Sequence, residues 1–263
     1  MILETILTAE RAASISAKKQ EYTIVFSLDV FRASTSIVRA FANGLHSAYT
    51  FVDFEEILNL KQISSFDSAK TDFERFFYEN SDKIKFGGER AGIKVQGFHF
   101  GNSPLEYTKE NIAEKILFFS STNGTKAFKS FPESQNRFIV AFGNTKANID
   151  LAVDLTKKQK IEKIVIVCAG NEGKVSEEDT YFAGYLATEL MKKIDLEPDY
   201  NTGIARFTFK NYNSIEQEFL FESAHGSKLI SIGFEKDLTF ALEKNYTDLI
   251  LKITDNKISV YET

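Results

Sequence analysis

The chain alternates short apolar runs with amphipathic stretches, and segments rich in glycine and polar residues separate them. Residues 22–28 are a β-branched and aromatic run of the length of a buried strand, ending at Asp29. Residues 31–36 then lead into 37–42, whose apolar spacing predicts a helix closed by Asn43-Gly44. This strand, loop and helix unit recurs. Further strands are predicted at 1–7, 46–52, 83–86, 114–120, 137–142 and 163–168, and helices at 8–18, 54–63, 72–78, 126–131, 147–157 and 176–194. Parallel neighbours need crossover connections, so the alternation implies a three-layer α/β/α fold with a largely parallel or mixed sheet. Beyond residue 195 the segments 204–210, 215–222, 227–233 and 240–242 read as helices or turns packed on that sheet. Residues 248–254 and 258–261, joined by Asp255-Asn256-Lys257, read as a terminal hairpin. No linker or low-complexity run interrupts the chain, which reads as one domain over 1–263.

In such sheets the loops at the carboxyl ends of strands gather where ligands bind. Nine of the 14 glycines fall between Gly87 and Gly173, in those loops, which favours one shared site over scattered turns. The densest stretch is Phe86-Gly87-Gly88-Glu89-Arg90-Ala91-Gly92 with Gly97-Phe98-His99-Phe100-Gly101-Asn102-Ser103-Pro104. Its glycines allow close backbone approach, while Glu89, Arg90, Asn102 and Ser103 offer a metal ligand, an oxyanion fork and neutral hydrogen bonds.

Composition narrows the partner. A formal net charge of -5 and 43% hydrophobic residues describe a globular chain without a nucleic-acid-binding surface, although a small basic pocket for a phosphorylated metabolite is compatible with it. No apolar run reaches the roughly 20 residues of a membrane span, and the N-terminus lacks the order of a signal peptide. The lone cysteine, Cys168, cannot form an internal disulfide, so a cytoplasmic protein is expected. A homodimer is the default oligomer.

Five loop motifs carry the candidate chemistry: Asp29-Val30-Phe31-Arg32-Ala33-Ser34, Gly88-Glu89-Arg90, Gly101-Asn102-Ser103-Pro104, Thr122-Asn123-Gly124-Thr125 and Glu177-Glu178-Asp179. Jointly they suit a phosphate bound beside a hard divalent cation. Mg²⁺ takes oxygen ligands and keeps several waters, so Asp29, Glu89 and Asp179 suffice as candidate ligands. Arg32 and Arg90 can each fork onto an oxyanion. Ser34-Thr35-Ser36 and Thr122 to Thr125 stand just before predicted helices, where backbone N–H groups favour anions, although such segments also serve as N-caps. Cys168-Ala169-Gly170-Asn171-Glu172-Gly173-Lys174 has the length of a cysteine-phosphatase loop but carries Lys174 in place of arginine, and Cys168 ends a buried strand, so it reads as structural. Of the three histidines, His99 and His225 sit in motifs worth testing, and neither has metal-ligand spacing. Walker-type and nicotinamide-binding loops are absent from the sequence.

Taken in order, these motifs, with Cys168-Ala169-Gly170, Glu178-Asp179 and His225-Gly226, resemble the Mg²⁺-dependent 2-phosphosulfolactate phosphatases of coenzyme M biosynthesis. The resemblance runs over most of the chain. It implies a three-layer α/β/α fold and hydrolysis of a phosphate ester on a small sulfonated hydroxy acid. His99 departs from the acidic residue common in the family, and Leu249-Ile250-Leu251 replaces its usual Val-Pro. On this reading Mg²⁺ sits on Asp29, Glu89 and Asp179. Arg32, Arg90 and the Thr122, Asn123, Gly124 and Thr125 amides neutralise the phosphoryl charge, with Ser34 beside them. Asn102 and Ser103 meet the substrate's other acidic groups. Whether Asp29 attacks phosphorus or only binds metal stays open. The alternatives are a phosphatase for another small phosphoester and a non-catalytic binder of a phosphorylated metabolite.

Overall fold

A computed structural model describes residues 1–15 and 21–262. The apolar runs form the strands of one sheet: β1 (Ile2–Ile6), β2 (Thr23–Leu28), β3 (Ser47–Thr50), β4 (Ile84–Arg90), β5 (Ile93–Lys94), β6 (Ile116–Ser120), β7 (Asn136–Ile139), β8 (Lys163–Cys168), β9 (Glu197–Pro198), β10 (Leu251–Thr254) and β11 (Lys257–Val260). Every residue of β2 and β6 is buried, as expected of strands covered by helices on both faces. The architecture is α/β, with helices on both faces of a mixed sheet. The helix anticipated at 8–18 is present as Ala9–Ile15, and residues 16–18 lie outside the described residues.

The strand order is β5-β4-β6-β3-β11-β10-β7-β2-β8-β1-β9. Two parallel blocks, β4-β6-β3 and β7-β2-β8-β1-β9, flank the β10–β11 hairpin, which pairs antiparallel with β3 on one side and β7 on the other. The hairpin read from the sequence is therefore the middle of the sheet. Three successive antiparallel pairings between β3 and β7 leave the two blocks running in opposite directions. The segments at the carboxyl ends of β2, β4, β6 and β8 nonetheless supply one cleft.

Helices Thr145–Lys158, Glu177–Met191 and Tyr200–Tyr212 bury one core with β2, β7 and β8. Helix Ala33–Ala42 packs in a second core with β3, β6, β10 and β11. Around Phe118 of β6 an aromatic cluster of Tyr49, Phe51, Phe73, Phe77 and Phe86 fills the outer block, a structural use for part of the chain's phenylalanine content. Past residue 195 the chain forms helices Tyr200–Tyr212, Glu216–Glu222, Ala224–Ser231 and Glu235–Ala241. Among the described residues no helix is long and apolar enough to cross a membrane.

Two local expectations change. The strand read as 83–86 continues through Gly87-Gly88-Glu89-Arg90, so Glu89 and Arg90 belong to β4 and not to a loop. Gly88 pairs with Ser120, has φ of 145°, and a Cβ there would fall on the Ser120 carbonyl oxygen. Its smallness serves strand packing. Likewise Ser34, Thr35 and Ser36 do not precede the helix but sit inside Ala33–Ala42, fully packed. Gly88→Ala is expected to cost at least about 3 kcal/mol, since both the overlap and the backbone conformation oppose it. Thermal unfolding against the parent protein measures this, and an unchanged melting temperature would show that β4 and β6 are not so closely apposed.

Candidate active site

The cleft between the blocks is lined by Asp29, Phe31, Arg32, Glu89, Ala91, Gly92, Asn102, Thr122, Asn123, Asn171, Glu172, His225 and Lys228. Asp29 ends β2 in a turn that closes on itself. The Ser34 hydroxyl donates to the Asp29 carbonyl at 2.7 Å and accepts from the Asp29 amide at 3.1 Å, while the Ala33 amide donates to Asp29 Oδ1 at 3.3 Å. The carboxylate thus lies at the amino end of helix Ala33–Ala42, where the dipole favours it. Across from it, a Cβ on Gly124 would stand 2.6 Å from Asp29 Oδ2, so the turn after β6 has to be glycine for the two segments to meet. Burial pushes the Asp29 carboxyl up to about 7; His225 and the Ala33 amide counter the rise, and Glu89 and Glu178 add to it.

Arg32 is buried beneath the cleft. Its Nη1 donates to Asp237 Oδ2 at 2.6 Å, its Nη2 to the Gly92 carbonyl at 3.1 Å, and its guanidinium lies 4.1 Å from the Phe234 ring centre. Asp237 also accepts the Ser103 hydroxyl at 2.7 Å. This pair fastens helix Glu235–Ala241 to the Asp29 turn. Glu89 accepts the Thr122 amide at 2.7 Å on Oε1 and the Gly92 amide at 2.7 Å on Oε2, so it ties the ends of β4 and β6 together while facing the cleft.

At the far wall, His225 Nδ1 lies 2.9 Å from Glu178 Oε1. A carboxylate only accepts, so Nδ1 is the donor. Burial lowers the affinity of this imidazole for its second proton. The hydrogen bond and charge of Glu178, with the charge of Asp29, more than reverse that, and the net direction is up.

Several of the sequence candidates do not face the cleft. Asp179, proposed as a third metal ligand, accepts the Val30 amide and the Gly170 amide, each at 2.9 Å, and pins the turns after β2 and β8 together from below. Burial raises its carboxyl well above the usual range, with Asp29 and Glu178 adding to the effect. Arg90 turns away: its Nη atoms donate to the Glu89 and Val52 carbonyls and to Ser120 Oγ, and it covers the Phe54 ring. The Thr122 and Thr125 amides are taken by Glu89 and Ser121 Oγ, and the hydroxyls of Ser34, Ser103 and Thr125 by the surrounding framework. His99 accepts the Phe86 amide at 3.0 Å and stacks on the Phe86 ring, outside the cleft. Burial pushes the Cys168 thiol well up, which leaves no thiolate nucleophile.

Of the sequence candidates, Asp29, Arg32, Glu89, Asn102, Thr122 and Asn123 are brought together in the cleft. Lys228 joins them from a segment that carried no distinctive pattern, Asn171 and Glu172 from the Cys168 to Lys174 stretch that was weighed only for its cysteine, and Asp237 from a stretch left between the predicted segments 227–233 and 240–242. Among the described residues no group of three or more His, Cys, Asp or Glu side chains is arranged to hold a metal ion. A hydrated Mg²⁺ needs fewer, since one or two carboxylates with waters and a substrate phosphate complete its shell. Two buried acceptors, Asn102 Oδ1 and Glu178 Oε2, have no hydrogen-bond partner in the described residues. With Asp29 and Glu89 they make a surplus of acceptors, which suits a cation and its water shell.

The chain matches the model of the 2-phosphosulpholactate phosphatase family over residues 9–256. It belongs to that family. A probable 2-phosphosulfolactate phosphatase of Caldicellulosiruptor saccharolyticus is 31% identical over 233 residues, covering 88% of each chain. One from Carboxydothermus hydrogenoformans is 33% identical over 235 residues, covering 89% of this chain and 87% of its own. One from Clostridium perfringens strain SM101 is 29% identical over 263 residues, covering 100% and 98%. Membership of the 2-phosphosulpholactate phosphatase family makes the chain a phosphoric monoester hydrolase.

The raised Asp29 carboxyl has a measurable consequence. The folded protein holds a proton there that an unfolded aspartate releases near pH 4, so this stabilisation is complete below about pH 4 and is lost as pH rises through about 7. Asp29→Asn, which mimics the protonated form, is expected to raise the melting temperature of chelator-treated protein at pH 8 by several degrees and to change it little at pH 4. One kcal/mol is worth about 2–4 °C in a chain of this size. Equal shifts at the two pH values would mean that Asp29 is not a strained carboxylate.

Proposed function

We propose that the cleft hydrolyses the phosphate monoester of a small, doubly acidic hydroxy acid, 2-phosphosulfolactate, to sulfolactate and phosphate, with Mg²⁺ held by Asp29 and Glu89. The observation that carries the reading is the meeting of these two buried carboxylates with Arg32 in one cleft built by the family's motifs. The names of the relatives favour this substrate. The cation, when bound, would neutralise phosphoryl charge and bring water to it.

The remaining work falls to the protein's own groups. Arg32 lines the cleft and is fixed by Asp237 and the Gly92 carbonyl, so its guanidinium is held in place before substrate arrives. Such preorganisation matters because phosphoryl transfer depends on positioning and electrostatics more than on covalent chemistry. Lys228 and Asn102 are the groups placed to meet the substrate's carboxylate and sulfonate. The turn at Asn123-Gly124 brings backbone against Asp29 on the opposite side. Arg90 and Asp179 act behind the site, through Glu89 and through the β2 turn.

Phosphate release from a panel of phosphosulfolactate, phospholactate and unrelated small phosphoesters tests the reading. Release is expected from the acidic esters, to be abolished by chelator and restored by Mg²⁺. No Mg²⁺-dependent release from any of them would leave a binder of such metabolites. Within that assay Glu89→Gln is expected to lower kcat/KM by about 10²–10³, the size of effect of losing one preorganised electrostatic contact. Full metal-dependent activity in that variant would remove Glu89 from the cation site.

A further inference from the structure

His225 occupies a position in the cleft that metal and phosphate binding do not explain. It stands in the first turn of helix Ala224–Ser231, whose start is fixed by Ser223 Oγ accepting the Gly226 amide at 3.0 Å. Its Nδ1 is committed to Glu178, and Nε2 has no hydrogen-bond partner among the described residues while the ring lines the cleft. Glu178 is buried in the first turn of helix Glu177–Met191, so its carboxylate meets the ring away from solvent. A buried acid behind an imidazole fixes the ring's orientation and tautomer. The charged groups facing the ring are Glu178, Asp29 and Arg32, with Lys228 one turn along its own helix. The Glu178 carboxylate bonded to Nδ1 favours the doubly protonated ring.

We propose that His225, oriented by Glu178, donates the proton taken up by the substrate's alcohol oxygen as the P–O bond breaks. This rests on the phosphatase reading above. A water oxygen forms the new bond to phosphorus and the ester P–O bond breaks, its electron pair staying on the alcohol oxygen. His225 Nε2–H supplies the proton there. One proton of the attacking water stays on the product phosphate and the other returns, through solvent, to the imidazole. Alkoxides are poor leaving groups, so an aliphatic hydroxy-acid ester needs such an acid where an aryl ester does not. His225 is in this sense catalytic, whereas Glu178 is a positioning residue.

The test compares phospholactate with 4-nitrophenyl phosphate in the Mg²⁺-loaded enzyme. His225→Asn is expected to lower kcat/KM by about 10²–10⁴ for the alkyl ester, the range of general acid catalysis, and by less than about tenfold for the aryl ester. The same variant is expected to show an increased ¹⁸O isotope effect at the bridging oxygen of phospholactate. Glu178→Gln is expected to show the same split between esters to a smaller degree, and it carries both readouts if the histidine variant does not fold. Equal losses on the two esters, or an unchanged bridging isotope effect, overturn the proposal while leaving the phosphatase reading intact. A parent enzyme inactive on every ester overturns both.

Discussion

Carboxylates cannot be buried without partners, and five of them, Asp29, Glu89, Glu178, Asp179 and Asp237, are buried around this cleft. The way each finds a partner is what assembles the site. Asp179 takes two backbone amides, Glu89 takes two more, Asp237 takes Arg32 and Ser103, and Glu178 takes His225. Most of these bonds join segments distant in sequence; the Gly92 amide to Glu89 and the Gly170 amide to Asp179 are the local ones. The polar network is therefore also the framework that sets the distance between the turn after β2, the end of β4 and the turn after β6. Asp29 is the member whose compensation is weakest, and it is the one most open to a bound cation.

The same economy separates residues that form the cleft from residues that support it. Arg90 and Asp179 belong to motifs as distinctive as those of Arg32 and Glu89, yet their polar atoms are engaged by backbone behind the cleft wall. A motif reports that a residue type is required, without reporting which way it faces. On the proposed reading catalysis depends on electrostatic groups held before substrate arrives, and residues one layer back would matter through the rigidity they confer.

Much of the fold was legible because its strands are buried on both faces and so read as unbroken apolar runs, as in Thr23–Leu28 and Lys163–Cys168. The hairpin was legible from its turn, but its place at the centre of the sheet was not, since nothing local in Leu251–Thr254 or Lys257–Val260 names its partners β7 and β3. Gly87-Gly88 misled for a physical reason: glycine marks close approach, and here the approaching groups are Tyr107 and the Ser120 backbone, not a ligand. Ser34, Thr35 and Ser36 looked like cap residues, whereas their hydroxyls bond carbonyls of Asp29, Val30 and Asn102 from inside the helix. Of the site, Asp29, Arg32 and Glu89 could be gathered from motifs. Asp237 could not, because a buried ion pair across 205 positions leaves no trace in spacing.

The central hairpin has a consequence for how the molecule is made. Residues 251–260 are synthesised after every other strand, yet they are the seam between the two parallel blocks. Until they emerge, β3 and β7 each present a bare edge, the kind of surface that pairs with other chains. Joining the halves also closes loops of very long range, which is slow. The hairpin, which follows β3 and β7 in the chain, covers both of those edges at once.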